Sequence, residues 1–171
     1  MNVVQRAKAL ATEAHASIGQ VRKYTGEPYI VHPAAVVAIV RSVPHTQDML
    51  AAAWLHDVVE DTPITLGEIE SIFGGSVALL VENLTDVSHA NDGNRKHRKA
   101  KDREHTSRAT PEAKTIKLAD LIDNTRSILA HDPRFAKTYL EEKRLLLEVL
   151  REGDQTLWQK AHALAYTQSV F

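Results

Sequence analysis

Cysteine is absent from all 171 residues. That removes disulfides, thiolate metal ligands and cysteine nucleophiles together, and leaves histidine, aspartate and glutamate as the only strong ligands. An intracellular setting is the plain reading of such a composition. No stretch approaches the roughly eighteen apolar residues that a membrane-spanning helix needs, and the first twenty residues lack the continuous apolar core of a secretory signal. Neither sign of charge dominates, with 21 Lys and Arg against 22 Asp and Glu. No global field therefore recruits nucleic acid or membrane, and a site for a polyanion has to come from local clustering. Fixed-period repeats and low-complexity tracts are also missing. The expectation is a cytoplasmic protein with a small-molecule partner, and neither nucleic acid nor membrane as a partner.

What is present suits a globular protein: 43% hydrophobic and 25% charged residues, enough apolar surface for a core. The length fits a single domain over residues 1–171. Val3, Val4, Ala7, Leu10, Ala11 and Ala14 recur at helical spacing, which predicts an amphipathic helix ending near Gly19. The segment 24–28 carries the Gly and Pro of a loop, and Pro33 sits well in the first turn of a second helix, with His32 at its entrance. A third helix is expected over 47–61, stopped by Thr62-Pro63, and a short fourth from a Thr65 cap through Phe73. Val77, Leu80, Val81 and Leu84 give another helix. Residues 88–94 read as loop, and the charged run 95–108 as a helix with no apolar face of its own, able to bury little. Pro111 opens a strong helix with a broad apolar surface, followed by two more at about 134–151 and 154–168. No alternating run suggests a strand pair, so the chain is expected to be an all-α bundle of about eight to ten helices.

The most informative segment runs from Ala51 to Asp61, where His56, Asp57, Glu60 and Asp61 follow residues that must be buried. On one helix these side chains share a broad face. Three carboxylates that close repel one another unless a cation or protons intervene. An exposed acidic helix end is the plainer reading of this segment alone. Asp120 shifts the balance, because it too stands among apolar neighbours, in Lys117-Leu118-Ala119-Asp120-Leu121-Ile122, and a buried ionised carboxylate is expensive unless paired or coordinated.

Three segments, 26–33 (GEPYIVHP), 56–62 (HDVVEDT) and 117–124 (KLADLIDN), together resemble the hydrolase domain of RelA/SpoT enzymes and the single-domain small alarmone hydrolases. The resemblance spans roughly Arg6 to Leu150, with the motifs in the family's order. It implies an HD-type helical bundle in which His32, His56, Asp57 and Asp120 bind one Mn²⁺, with Glu60 and Asp61 serving catalysis. It also implies that water removes the 3′-pyrophosphate of a guanosine tetra- or pentaphosphate alarmone, leaving pyrophosphate and an ordinary nucleotide; adenosine alarmones stay open as substrates. The chemistry of the residues agrees, since two imidazoles and two carboxylates leave an octahedral cation open positions for water and a phosphoryl oxygen. By general affinity order zinc or copper outcompetes manganese at such ligands, so supply decides the metal. Glu60 and Asp61 act as a unit at this stage, with base and orienting roles not divided between them.

Substrate contacts follow from the same resemblance. Arg22 and Lys23 resemble an Arg-Lys pair that packs on the nucleotide base and contacts phosphate, although Tyr24-Thr25 sets that pair one residue further from Gly26 than expected in the large bifunctional enzymes, which leaves base identity open. Tyr139 resembles a tyrosine near ribose or phosphate, with a buried core tyrosine as the alternative. Asn124 is expected at the sugar or base. In the charged run, Arg95 or Lys96 is the best candidate to meet a polyphosphate, against the plainer reading of a solvated helix face. No synthetase portion is present in the chain, so it is expected only to degrade. Two other readings stand beside this one: an HD-type nucleotide phosphomonoesterase, including a 2′-phosphatase of NADPH, and a non-catalytic nucleotide-binding module.

Overall fold

Ten helices account for the regular structure of the computed structural model, which describes residues 1–167. The expected all-α class holds: among the described residues the only β pairing is an isolated antiparallel bridge between Val21 and Pro28. No helix is long and apolar enough to cross a membrane. The chain divides into two compact units, Met1–Thr85 and Asp86–Phe171.

The first unit holds α1 (Val3–Ser17), α2 (Val31–Arg41), α3 (Gln47–Leu55), α4 (Val58–Asp61), α5 (Leu66–Phe73) and α6 (Gly75–Leu84), with α3 at its centre. Seven consecutive residues of α3, Met49 to Leu55, are buried, because α1, α2 and α6 all pack on it. Ala51, Ala52 and Ala53 have no exposed surface, so three neighbours can approach its backbone closely. Leu50 and Leu55 are fully enclosed, and each such leucine contributes about 1.5–3 kcal/mol relative to exposure. Thr46 starts this helix by accepting the Met49 amide at 3.2 Å. Gly74, at φ 92°, is both the end of α5 and the entrance to α6, a backbone conformation that side-chain-bearing residues rarely adopt.

The second unit holds α7 (Arg95–Ser107), α8 (Pro111–His131), α9 (Pro133–Glu148) and α10 (Gln155–Thr167). The 21-residue α8 buries Ala113 to Ile116, Leu118 to Ile122 and Thr125, and α9 and α10 pack against it. Thr110 caps α8, with Pro111 where its missing N–H costs nothing. Gly153 admits the turn before α10: a Cβ there would meet Leu118 Cδ1 at 2.8 Å and the Lys114 backbone at 3.1 Å. The expected end of the last helix, residue 168, lies outside the described residues.

Two differences from the sequence reading bear on function. The single helix expected over 47–61 is broken at His56 and Asp57 into α3 and the four-residue α4, so helical spacing does not place the four polar groups on one face. The charged run is helical, as expected, yet it buries Asp102 and Thr106. Asp102 accepts the amides of Val87 and Ser88 at 3.0 and 2.8 Å and the Ser88 hydroxyl at 2.7 Å. One buried carboxylate thus ties a helix without an apolar face to the segment before it.

Candidate active site

Three helices and one turn of the first unit bring its polar groups together. The turn between α1 and α2 is closed by Arg22 N donating to Glu27 O at 2.8 Å and Gly26 N to Arg22 O at 3.0 Å. Tyr29 N donates to Gln20 O at 3.1 Å, which aims the Tyr29 ring inward, 4.8 Å from the ring of His15. Its hydroxyl donates to Asp57 Oδ2 at 2.5 Å. His32, in the first turn of α2, is 1% exposed.

The interruption after α3 sets the other two groups. His56 Nδ1 lies 2.7 Å from the Ala53 carbonyl. A carbonyl only accepts, so Nδ1 carries the hydrogen and the Nε2 lone pair points the other way. His56 Nε2 stands 3.1 Å and His32 Nε2 3.8 Å from the same Asp57 Oδ2, and the two imidazoles meet edge to face with centroids 5.2 Å apart. One ligand atom from each of His32, His56 and Asp57 falls within 4.8 Å of the others. Two buried imidazoles turned on one carboxylate oxygen suit a divalent cation with N and O ligands.

Glu60 and Asp61 part company. Glu60 is exposed on α4, whereas Asp61 is half-buried and accepts from Gln20 Nε2 at 3.0 Å. Gln20 turns its Oε1 to His15 Nδ1 at 2.8 Å, so a fully enclosed histidine on α1 orients the amide that orients the carboxylate. Burial pushes the Asp61 carboxyl up from its ordinary range, with Asp57 adding to the rise and the Gln20 bond opposing it.

Asp120 belongs to the second unit, 7% exposed on α8. Lys117 Nζ donates to its Oδ2 and Asn124 Nδ2 to its Oδ1, each at 3.0 Å. Asn124, expected at sugar or base, thus spends a donor on Asp120. Arg95 forms a two-pronged ion pair with Glu142, at 2.7 and 3.0 Å, and lies over the Phe135 ring, while Lys96 is exposed. Tyr139 is a core residue, 6% exposed, whose hydroxyl meets Thr125 Oγ1 at 3.3 Å. In the first unit the Arg22 guanidinium sits 5.9 Å from the Tyr29 ring centre, and Lys23 lies over Tyr24.

The sequence reading missed Tyr29, Gln20, His15 and Lys117. Tyr29 and Lys117 each stand three residues before a predicted ligand, and that spacing was a usable signal. Nothing in periodicity links Gln20 to Asp61, which lies 41 residues further along.

A family model described as HD domain matches residues 7–148. Among curated relatives, a probable guanosine-3′,5′-bis(diphosphate) 3′-pyrophosphohydrolase of Synechocystis is 35% identical over 145 residues, 83% of this chain and 19% of that protein. The bifunctional (p)ppGpp synthase/hydrolase SpoT of Escherichia coli K12 is 37% identical, over 81% of this chain and 20% of its own length. The chain therefore spans about a fifth of these long relatives. It covers far more of the 3′-pyrophosphohydrolase MESH1 of Danio rerio, at 38% identity over 85% of this chain and 83% of that one. Among solved structures, a metazoan ortholog of SpoT that hydrolyzes ppGpp superposes with a TM-score of 0.87 at 27% identity, covering 100% of this chain and 98% of that one. A Listeria monocytogenes protein gives 0.67 at 26% identity, over 84% and 98%. With the family model matched along most of its length, and with buried histidines facing the aspartate of the His56-Asp57 pair, this chain belongs to the HD-domain family.

Proposed function

We propose that the chain is a divalent-metal-dependent hydrolase of guanosine or adenosine alarmones, (p)ppGpp or (p)ppApp, that releases their 3′-pyrophosphate. The observation that carries this reading is the convergence of His32 Nε2 and His56 Nε2 on Asp57 Oδ2, in a chain that covers most of a relative named as a 3′-pyrophosphohydrolase. We take the two units as one cytoplasmic HD domain; the family match runs across their division.

Three ligands come from the first unit, and we assign Asp120 as the fourth, on its motif and on the fixed orientation that Lys117 and Asn124 give its carboxylate. Manganese is the assigned ion by resemblance, and the mixed imidazole and carboxylate donors admit it without selecting it. When bound, such a cation supplies Lewis acidity to a phosphoryl oxygen and to water. Tyr29 fixes Asp57 through its hydroxyl, and His56 is fixed through the Ala53 carbonyl. Glu60 and Asp61 handle the proton of the attacking water. Of the two, we assign Asp61 as the base, because burial raises its carboxyl and Gln20 holds it in place. The water oxygen bonds to the phosphorus carried on O3′, the bond from O3′ to phosphorus breaks, and O3′ takes a proton to leave as the nucleotide hydroxyl. Arg22 and Lys23 grip base and phosphate, with Arg22 standing beside the tyrosine that holds Asp57. Arg95, Lys96 and Asn124 complete the assigned substrate contacts, a phosphate reaching Arg95 displaces Glu142, and Tyr139 supports them from the core.

The test is incubation of purified, metal-loaded protein with guanine and adenine alarmones, NADPH and nucleoside monophosphates, with products separated by chromatography. Pyrophosphate and a nucleoside di- or triphosphate are expected from an alarmone. Inorganic phosphate as the sole early product, with alarmone untouched, overturns the reading in favour of a phosphomonoesterase.

A further inference from the structure

The second unit contains a pocket whose charges are out of balance. It encloses about 410 Å³, open mouth included, between α7, α8 and α9. Four cations line it: Lys99 and Arg103, one helical turn apart on α7, Lys117 on α8 and Lys143 on α9. Three carboxylates also line it, Asp86, Asp102 and Glu142, and the last two are engaged elsewhere. Asp102 is held by two backbone amides and a hydroxyl, and Glu142 by the guanidinium of Arg95. Lys117 is committed to Asp120.

Lys143 is the group that demands an explanation. Among the described residues no carboxylate lies within ion-pair distance of its ammonium, and its one close partner is the face of the Tyr139 ring, 4.9 Å away. Burial pushes it down to about 8, and Lys117 and Lys99 push in the same direction. A half-buried ammonium facing other cations is costly, and leucine or methionine would avoid that cost here. Lys99 and Arg103 likewise make no ion pair among the described residues. Three uncommitted cations around an open pocket form a receptor for a small anion with several oxygens, since lysine supplies point charge and arginine paired donors.

We propose that Lys99, Arg103 and Lys143 form a binding site for a phosphate group. The charge is prearranged, so a bound phosphate returns the counter-ion that Lys143 lacks. The site takes phosphate whichever nucleotide the enzyme hydrolyses.

Titration of the full chain with inorganic phosphate and with pyrophosphate tests it, followed by calorimetry and by the ¹⁵N resonance of the Lys143 side chain. Saturable binding that shifts that resonance is expected. Lys143→Met, and separately Lys99→Gln with Arg103→Gln, each weaken binding about ten-fold or more, while His32→Ala leaves it unchanged. Lys143→Met is not expected to fail to fold, because it removes an unpaired charge, and the half-buried α7 pair provides a second variant. Absence of saturation, or binding that His32→Ala abolishes and the cation variants keep, overturns the site and assigns the phosphate to the metal centre. Alarmone kinetics then separate two sources of the same chemistry. A raised KM at unchanged kcat in Lys143→Met identifies the phosphate as the substrate's own, and an unchanged KM with weakened phosphate binding identifies free phosphate.

Discussion

The hydroxyl of Tyr29 donates to Asp57 Oδ2 at 2.5 Å, the same oxygen that His56 and His32 approach at 3.1 and 3.8 Å. Tyr29 is therefore a positioning residue for the carboxylate at the centre of the cluster. Groups of this kind set ligand orientation, and their loss costs about 10- to 100-fold in metal affinity. Tyr29→Phe keeps the ring contacts with His15 and His32 and removes only the bond. Metal titration of the variant is expected to show that loss, with thermal unfolding of the metal-free protein close to wild type. Unchanged metal affinity removes Tyr29 from the site.

Metal ligand and proton-handling pair should separate by mutation. Asp57 stands in the cluster with both imidazoles, whereas Glu60 is exposed on α4. Asp57→Ala is expected to lose metal and turnover together, and Glu60→Gln to lose turnover while metal stays bound. If Glu60→Gln released the ion as completely as Asp57→Ala, Glu60 would have to be reassigned as a ligand.

Legibility in the sequence followed the physics of each feature. The helices were readable because apolar spacing and caps are local: Thr65 and Pro111 stand where the chain indeed starts helices. His56 and Asp57 were readable because polar groups after a buried apolar run need compensation, His32 joined them through the family resemblance, and the structure brings those three together. The break at His56 was hidden, since no glycine or proline marks it and the apolar pattern continues on both sides. The partners of Asp61 and Asp102 were hidden for another reason. Gln20 and the amides of Val87 and Ser88 reach them through tertiary folding, and no sequence period encodes that pairing. Lys143 read as one charge among many on α9, because its lack of a carboxylate is a property of the fold around it.

The Gln20 bond lowers the Asp61 carboxyl, against a rise set mainly by burial. Gln20→Leu removes the bond and leaves the burial, so the carboxyl rises further. A base works only when ionised, so activity is lost as pH falls through its pKa. The acid limb of the kcat/KM profile is expected to move to higher pH in Gln20→Leu, with less change on the alkaline side. A uniform drop in activity with an unmoved acid limb assigns Gln20 a purely structural part.

Lys143 ties stability to pH in the direction opposite to a paired lysine. Its ammonium is pushed down to about 8 from the ordinary 10.5, by burial first and by Lys117 and Lys99 next, with Asp120 and Glu142 acting the other way. Below pH 8 the group is charged in folded and unfolded chains alike, and the folded state carries the whole penalty. Between about 8 and 10.5 the folded chain has released the proton that the unfolded chain still binds, so the penalty fades as pH rises. Lys143→Met should therefore stabilise the protein most at neutral pH, on the order of 2 kcal/mol, and progressively less toward pH 10. Urea unfolding of both proteins across that range measures the difference, in which titration of all other groups cancels. A gain that stays constant from pH 7 to 10 means that Lys143 keeps its ordinary proton affinity in the folded chain, and that its ammonium is solvated.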